Sequence, residues 1–425
     1  MSRIIVQKYG GSSVADADRV RRVAARVRQS LGSDCHVVVV VSALGDSTDA
    51  LLDLAAKVAR NPSPREMDML LATGEQVSIA LLAMALADLG VPAVSLTGAQ
   101  AGIHTDSRHR RASILRVDTR RILRELERGR VVVVAGFQGR SRAETTTLGR
   151  GGSDLTAVAL AHALDAERCE ICSDVAGVYT ADPRIVPEAR KLPYIGYEEM
   201  LELAALGAQV LQRSSVAYAE RHGVRIEARS TFVDEPGTII EGSDHMSERR
   251  RSHPVTGLAL SRHVARLAAV EIPDRPGVAA AIFRPLGDEG IGVDMIVQSV
   301  GHDGKNVIAF TVDLDQAEAA QRLVAAQAES LGGRMAGPPV AMARISAVGM
   351  GMRGAPALAA DMFSALARAG VNIEGITTSE IRISVLVAPE AADAAMRALH
   401  RTFRLEEPDD DDVAAPAAPA ARARL

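Results

Sequence analysis

Tryptophan is absent from this chain, and aromatic residues make up only 3% of it. Bases would find little to stack on, and a net charge of −4 gives no electropositive footprint, which excludes nucleic-acid binding as the main activity. Cysteine is scarce as well. The three present, Cys35, Cys169 and Cys172, are an odd number without a disulfide framework. Cys169 and Cys172 form a C-x-x-C, but no further ligands stand at zinc-site spacing. They lie in a predicted strand, E-I-C-S, where positions three apart face opposite ways, and are read as small buried side chains. Uncharged apolar runs are short. None approaches the length of about 18 that a membrane span needs, and Arg3 and Lys8 near the N-terminus enclose no signal-type apolar stretch. A cytoplasmic protein with neither nucleic-acid nor membrane partner is expected.

What is present is ample material for a core: 47% hydrophobic and 24% charged residues over 425 positions fit two or three globular domains. The richest stretch runs from Thr145 to Arg184. Gly151 and Gly152, followed by Ser153 and Asp154, lead into Thr156–Leu164, which is alanine-rich and free of Gly and Pro. This reads as a tight loop feeding a helix N-terminus, where glycines allow close approach and unpaired N–H groups favour an anion such as phosphate. No G-K-[ST] follows at Walker A spacing. Taken alone, the run is equally a turn with a helix cap by Ser153 or Asp154.

Along the chain, Arg3 to Lys8 is a short strand that delivers Lys8 to its end, before Gly10 and Gly11 and a helix with Val20, Val23, Ala24, Val27 and Leu31 at helical spacing. Val37–Val41 and Val131–Ala135 are continuous valine-rich runs suited to central parallel strands. Each ends in a polar or glycine-rich turn. Gly74-Glu75-Gln76 is read as opening an apolar helix over Val77–Leu89, which would place Glu75 at a positive helix end. Strands alternating with helices through Phe232 indicate an α/β domain with a mostly parallel sheet and ligands at the carboxyl ends of its strands.

Six motifs in fixed order carry a family resemblance: K-Y-G-G-S-S-V at Lys8, V-S-A-L-G-D-S-T-D at Val41, G-E-Q-V at Gly74, G-F-Q-G at Gly136, T-L-G-R-G-G-S-D at Thr147 and S-D-V-A-G-V-Y-T-A-D-P-R at Ser173. Together they resemble the aspartate kinases, of the amino-acid kinase fold, a mostly parallel sheet sandwiched by helices. The resemblance implies phosphorylation of the L-aspartate side-chain carboxylate by ATP, with Mg2+ held largely by the ATP phosphates. It implies Lys8 and Asp154 as catalytic residues, the lysine neutralising the transferring phosphoryl group and the aspartate orienting it. Gly10, Gly11, Ser12, Gly151 and Gly152 would hold phosphate oxygens. Ser42, Thr48, Glu75, Arg150 and Ser153 would hold the substrate, with Arg150 on the α-carboxylate and Glu75 facing the α-ammonium. Ser173, Asp174, Tyr179, Asp182, Arg184 and the position of Gln209 would form the nucleotide site. Gln209 stands where the family usually carries a lysine. That substitution keeps a weakened sensor or regulatory subunit open, and a kinase of another acidic metabolite stays open because phosphate chemistry and substrate choice are set by different residues.

Residues 243–254 are polar, without hydrophobic periodicity, and read as a linker. Beyond them the chain repeats itself. Phe283 and Phe363, Leu286 and Leu366, Gly290 and Gly370, and Ile296 and Ile376 match at one offset of 80 residues, the mark of a duplicated unit. Each copy, over residues 255–332 and 340–405, resembles the ACT domain, a ferredoxin-like amino-acid sensor that aspartate kinases carry as a pair. The resemblance implies a homodimer through these units and a lysine or threonine effector near Asp274, Gly277, Gln298 and Asn372. At residues 305–307 the family often has T-T-D, and this chain has Lys305-Asn306-Val307. Residues 406–425, an acidic run followed by an Ala/Pro/Arg tail, carry too little apolar content to fold alone.

Overall fold

The computed structural model describes residues 3–32, 34–207, 210–242, 253–300 and 304–408. The position of Gln209, most of the expected linker and most of the acidic tail lie outside the described residues. Two compact units form. The first runs up to Tyr179 and resumes at Lys191, and the second combines Thr180–Arg190 with the described residues from His253 to Pro408. A first domain continuous over residues 1–242 is therefore interrupted, because an eleven-residue excursion packs with the second unit.

In chain order the strands of the first unit are β1 (Arg3–Tyr9), β2 (Cys35–Val41), β3 (Ala93–Leu96), β4 (Ile103–Thr105), β5 (Ile114–Val117), β6 (Val131–Ala135), β7 (Gln138–Ser141), β8 (Glu144–Thr147), β9 (Arg168–Ser173), β10 (Tyr194–Gly196), β11 (Ile226–Ser230) and β12 (Thr238–Glu241). The main sheet has the order β10-β12-β11-β9-β1-β2-β6-β3, and among the described residues only β11 and β12 pair antiparallel within it. The valine-rich β2 and β6 are interior strands, sixth and seventh of the eight, with both faces covered, which an unbroken β-branched run tolerates and an alternating pattern does not. A small second sheet, β5-β4-β7-β8, is built from two strands that precede β6 in the chain and two that follow it.

The helices of this unit are α1 (Ala17–Ser30), α2 (Ser47–Val58), α3 (Pro64–Asp88), α4 (Arg120–Glu127), α5 (Gly152–Ala163), α6 (Tyr197–Ala205) and α7 (Arg213–His222). In α1, Asp16 caps the first turn by accepting from the Arg19 amide at 2.8 Å, and Val20, Val23, Ala24 and Val27 are buried on one face as their spacing required. Helix α3 departs from expectation twice. It begins at Pro64, so Glu75 lies in the middle of the helix and the macrodipole does not account for it. Its 25 residues also include an 18-residue window with a mean hydropathy of 1.7, long and apolar enough to cross a membrane by length and composition, contrary to the expectation that no segment is. Ile79, Leu82 and Leu86 pack into the core with Val37, Val39 and Val133, and buried Asp68 and Glu75 add charge, so α3 serves here as a core helix.

The second unit contains β13 (Gly257–Pro273), α8 (Val278–Asp288), β14 (Ile296–Val300), β15 (Lys305–Asp313), α9 (Ala317–Ser330), β16 (Arg334–Met335), β17 (Val340–Val348), α10 (Leu358–Arg368), β18 (Gly375–Thr378), β19 (Arg382–Val387) and α11 (Ala392–Thr402). The duplication is visible in the backbone: α8 and α10 repeat at the offset of the sequence, and Gly290 and Gly370, after them, take φ of 71° and 70°. One sheet, β14-β15-β13-β17-β19-β18, serves both copies, with β16 pairing to β13. Strand β13 is shared. Val264 onward pairs with β15, and Gly257–Ser261 pairs with β17, with a register shift before Val264. Val255 and Leu258, assigned by sequence to the first copy, accordingly pack in the core of the second with Ile345, Met362 and Val385, joined by Ala181 and Val186 of the excursion. The first copy keeps its own core around Leu267, Ile282, Leu286 and Phe310.

Candidate active site

Parallel register lines up four strand ends. Tyr9 at the end of β1 stands beside Val41 of β2 and Cys172 of β9, and Val41 stands beside Ala135 of β6. The next residues, Gly10, Ser42, Ser173 and Gly136, therefore leave the sheet along one edge, and each opens or lies in one of the motifs. The turn after β1 is tight for a definable reason. A Cβ on Gly11 would sit 3.0 Å from the Ala43 carbonyl oxygen, and one on Gly10 would sit 3.3 Å from Lys8 Nζ, so the β2 loop and the lysine both close over this turn. The Gly45 amide donates to the Gly11 carbonyl at 3.1 Å and fixes the approach.

Helix α5 points its N-terminus at this edge. Gly151 is its N-cap, with φ of 76°, and no side chain caps it, so Ser153 and Asp154 lie inside the first turn and do not serve as caps. Lys8 Nζ meets Asp154 Oδ1 at 2.6 Å, with side chains 11% and 9% exposed. Strand β1 thereby presents a cation beside an uncapped helix N-terminus. Gly136 explains how α5 comes so close to β6: a Cβ there would lie 2.6 Å from Ser153 Oγ. A Cβ on Gly151 would strike Gln212 Cγ at 2.6 Å, so the residue before α7 meets the same glycine.

Glu75 enters from α3 through its mid-helix glycine. A Cβ on Gly74 would lie 2.9 Å from Ala43 Cβ, so only glycine lets α3 pack on the β2 loop. Glu75 is 3% exposed, and its Oε1 accepts from the Ala43 amide at 3.3 Å. Its Oε2 is buried with no hydrogen-bond partner among the described residues, and burial pushes the carboxyl up to about 7. A native carboxylate left with a bare oxygen is an acceptor waiting for a cationic donor.

The remaining expectations divide. Ser42 donates its amide to Tyr9, Ser173 closes β9 with its Oγ accepting from the Val175 amide, and exposed Asp174 follows it. Tyr179 makes an isolated bridge with Lys191 in the first unit. Asp182 and Arg184 follow in the chain. They pair with each other at 2.8 Å on the excursion that packs with the second unit. Thr48 is the second residue of α2, and its neighbour Ser47 has the buried hydroxyl without a partner. Cys169 and Cys172 are free and buried, and burial raises the Cys172 thiol to about 12, which makes both inert. In the second unit, Asp274 precedes Gly277, the left-handed N-cap of α8, and its Oδ1 accepts from Asn306 Nδ2 at 2.9 Å. Gln298 is exposed on β14, and Asn372, in the second copy, donates to Glu374 at 2.8 Å.

Comparison with known proteins adds the following. Residues 3–228 match the profile of the amino acid kinase family, and residues 267–331 and 345–403 each match an ACT domain profile. The chain is 48% identical over 411 residues to the aspartokinase of Mycolicibacterium smegmatis, covering 96% of this chain and 97% of that one. In three dimensions it resembles E. coli aspartokinase III in complex with aspartate and ADP, at 26% identity and a TM-score of 0.75 over 94% of this chain and 100% of the other. It matches the same enzyme with lysine and aspartate at 27% identity and a TM-score of 0.75, over 94% of this chain and 99% of the other.

Proposed function

The chain belongs to the aspartokinases, and from that premise we propose which of its residues perform the transfer of the terminal phosphoryl group of ATP to the side-chain carboxylate of L-aspartate. The observation that carries the assignment is the convergence of Lys8, the Gly10–Gly11 turn and the N-terminus of α5 on one sheet edge, with Glu75 beside the β2 loop. Phosphoryl transfer passes through a loose, highly charged transition state, so fixed positive potential supplies most of the catalysis. Lys8, held by Asp154, faces the transferring group. The amides of Gly10, Gly11, Ser12, Gly151 and Gly152 take phosphate oxygens, and Ser173, Asp174 and Tyr179 take the rest of the nucleotide. Among the described residues no group of three or more His, Cys, Asp or Glu side chains is placed to hold a metal ion. A magnesium ion would be carried largely by the ATP phosphates and would neutralise part of their charge.

On the acceptor side, Glu75 Oε2 takes the α-ammonium of aspartate, Arg150 takes its α-carboxylate, and Ser42, Thr48 and Ser153 orient the rest. The attacking carboxylate is already ionised at pH 7, so no general base is required. In the second unit, lysine or threonine binds near Asp274, Gly277, Gln298 and Asn372 as feedback effector. Half-exposed Ile296 and Ile376, at matching places on the edge strands β14 and β18, support a homodimer through these copies. The free thiols suit the reducing cytoplasm.

ADP release with L-aspartate as acceptor tests the assignment. The wild-type chain is expected to turn over with L-aspartate and not with other acidic metabolites, and Lys8→Met is expected to lose about a hundredfold in kcat, the size of one transition-state donor. Full turnover by Lys8→Met, or turnover only with another acid, refutes it.

A further inference from the structure

The strongest unassigned feature near the site is a carboxylate that touches none of the groups above. Asp68 lies on α3 two turns before Glu75, and its side chain is fully buried. It accepts from Thr147 Oγ1 at 2.6 Å, from the Arg110 amide at 3.0 Å and from His109 Nδ1 at 2.7 Å. One buried acid thus ties α3 to the last residue of β8 and to the loop from Asp106 to Ala112. Asp106 brackets that loop, accepting from the Arg108 amide at 3.1 Å and the Ser113 amide at 3.2 Å. At its tip Arg110 takes φ of 67°, a left-handed conformation costly for a residue with a side chain. Something must hold it there, and the two bonds to Asp68 from His109 and Arg110 do so.

The held loop presses on the glycine loop of the active site. A Cβ on Gly149 would lie 2.9 Å from the Arg110 carbonyl oxygen, and the Ala112 amide donates to the Thr147 carbonyl at 2.9 Å. Arg150 is the next residue after Gly149. We propose that Asp68 and His109 form a buttress that sets the backbone of Gly149–Arg150, making His109 a positioning residue for the aspartate side of the site. This rests on the assignment of Arg150 to the substrate carboxylate. Asp68 accepts from Nδ1, so the ring holds the acid through the donor at that nitrogen.

Geometry supplies a discriminating series, because an asparagine amide nitrogen reproduces Nδ1 of histidine and a glutamine amide reproduces Nε2. In the full chain, His109→Ala and His109→Gln are expected to raise KM for aspartate by about tenfold, the effect of one lost hydrogen bond to a charged group. KM for ATP should stay within twofold, and His109→Asn should restore KM for aspartate. Arg150→Ala serves as comparator. If Arg150→Ala raises KM for aspartate and His109→Ala does not, the buttress is refuted while the substrate assignment stands. If Arg150→Ala leaves KM for aspartate unchanged, the assignment falls and this proposal with it. A parallel rise in both KM values, unrescued by Asn, would mark His109 as merely structural and also overturns it.

Discussion

Glu75 makes a quantitative demand on the enzyme. Burial raises its carboxyl from an ordinary 4.5 to about 7, which is about 3 kcal/mol of preference for the neutral form in the free protein. The sign follows from linkage. The folded chain binds this proton more tightly than the unfolded chain, so the group costs nothing below about pH 4.5. The cost grows as pH rises toward 7 and stays at its full value above that. Only the ionised form can pair with an ammonium, so substrate binding must expel the proton. KM for aspartate should then rise about twofold at pH 7 and about tenfold at pH 6 relative to pH 8, since a fully protonated site weakens tenfold per pH unit. Initial rates at saturating ATP, with KM for ATP as internal control, read this directly. Glu75→Gln removes both effects together. KM for aspartate becomes high and independent of pH between 6 and 8, while the ligand-free protein gains up to about 3 kcal/mol of stability at pH 8 and nothing at pH 4. A wild-type KM flat from pH 6 to 8, or a Gln variant that keeps the wild-type profile, would refute this account of the bare carboxylate oxygen.

Two further outcomes follow from contacts elsewhere. Gly136→Ala places a methyl 2.6 Å from Ser153 Oγ and 3.0 Å from Ser153 Cα, so the first turn of α5 must move; a loss of about 1–3 kcal/mol in denaturant unfolding and a fall of tenfold or more in kcat are expected, and wild-type activity would show that the turn yields freely. Asn306 occupies Asp274 Oδ1, the acceptor an effector ammonium would use, and leaves its own Oδ1 buried and without a partner among the described residues. Asn306→Thr should therefore lower the lysine or threonine concentration for half-inhibition, measured by ADP release. An unchanged value would place the effector elsewhere.

Much of the fold was written in local pattern. Unbroken valine runs specified β2 and β6, the spacing of Val20, Val23, Ala24 and Val27 specified the buried face of α1, and the offset between Phe283 and Phe363 specified the duplication. Strand ends carrying glycines and hydroxyls gave most of the candidate site, because a parallel sheet gathers such ends along one edge whatever joins them. Less legible was anything depending on a partner far along the chain. Gly74 looked like a helix boundary because glycine usually is one; its real constraint is the methyl of Ala43, which no local pattern reveals.

By itself, then, the sequence determined the elements, their order and the chemistry of the residues at their ends, since propensity and periodicity act within a few residues. Only the tertiary structure decided that Thr180–Arg190 leaves the first unit for the second, that β13 serves both repeats, and that Glu75 is left with a bare oxygen while Asp68 has a full set of partners. Those outcomes depend on which surfaces exclude water from one another, a property of the packed chain that no segment of it possesses alone.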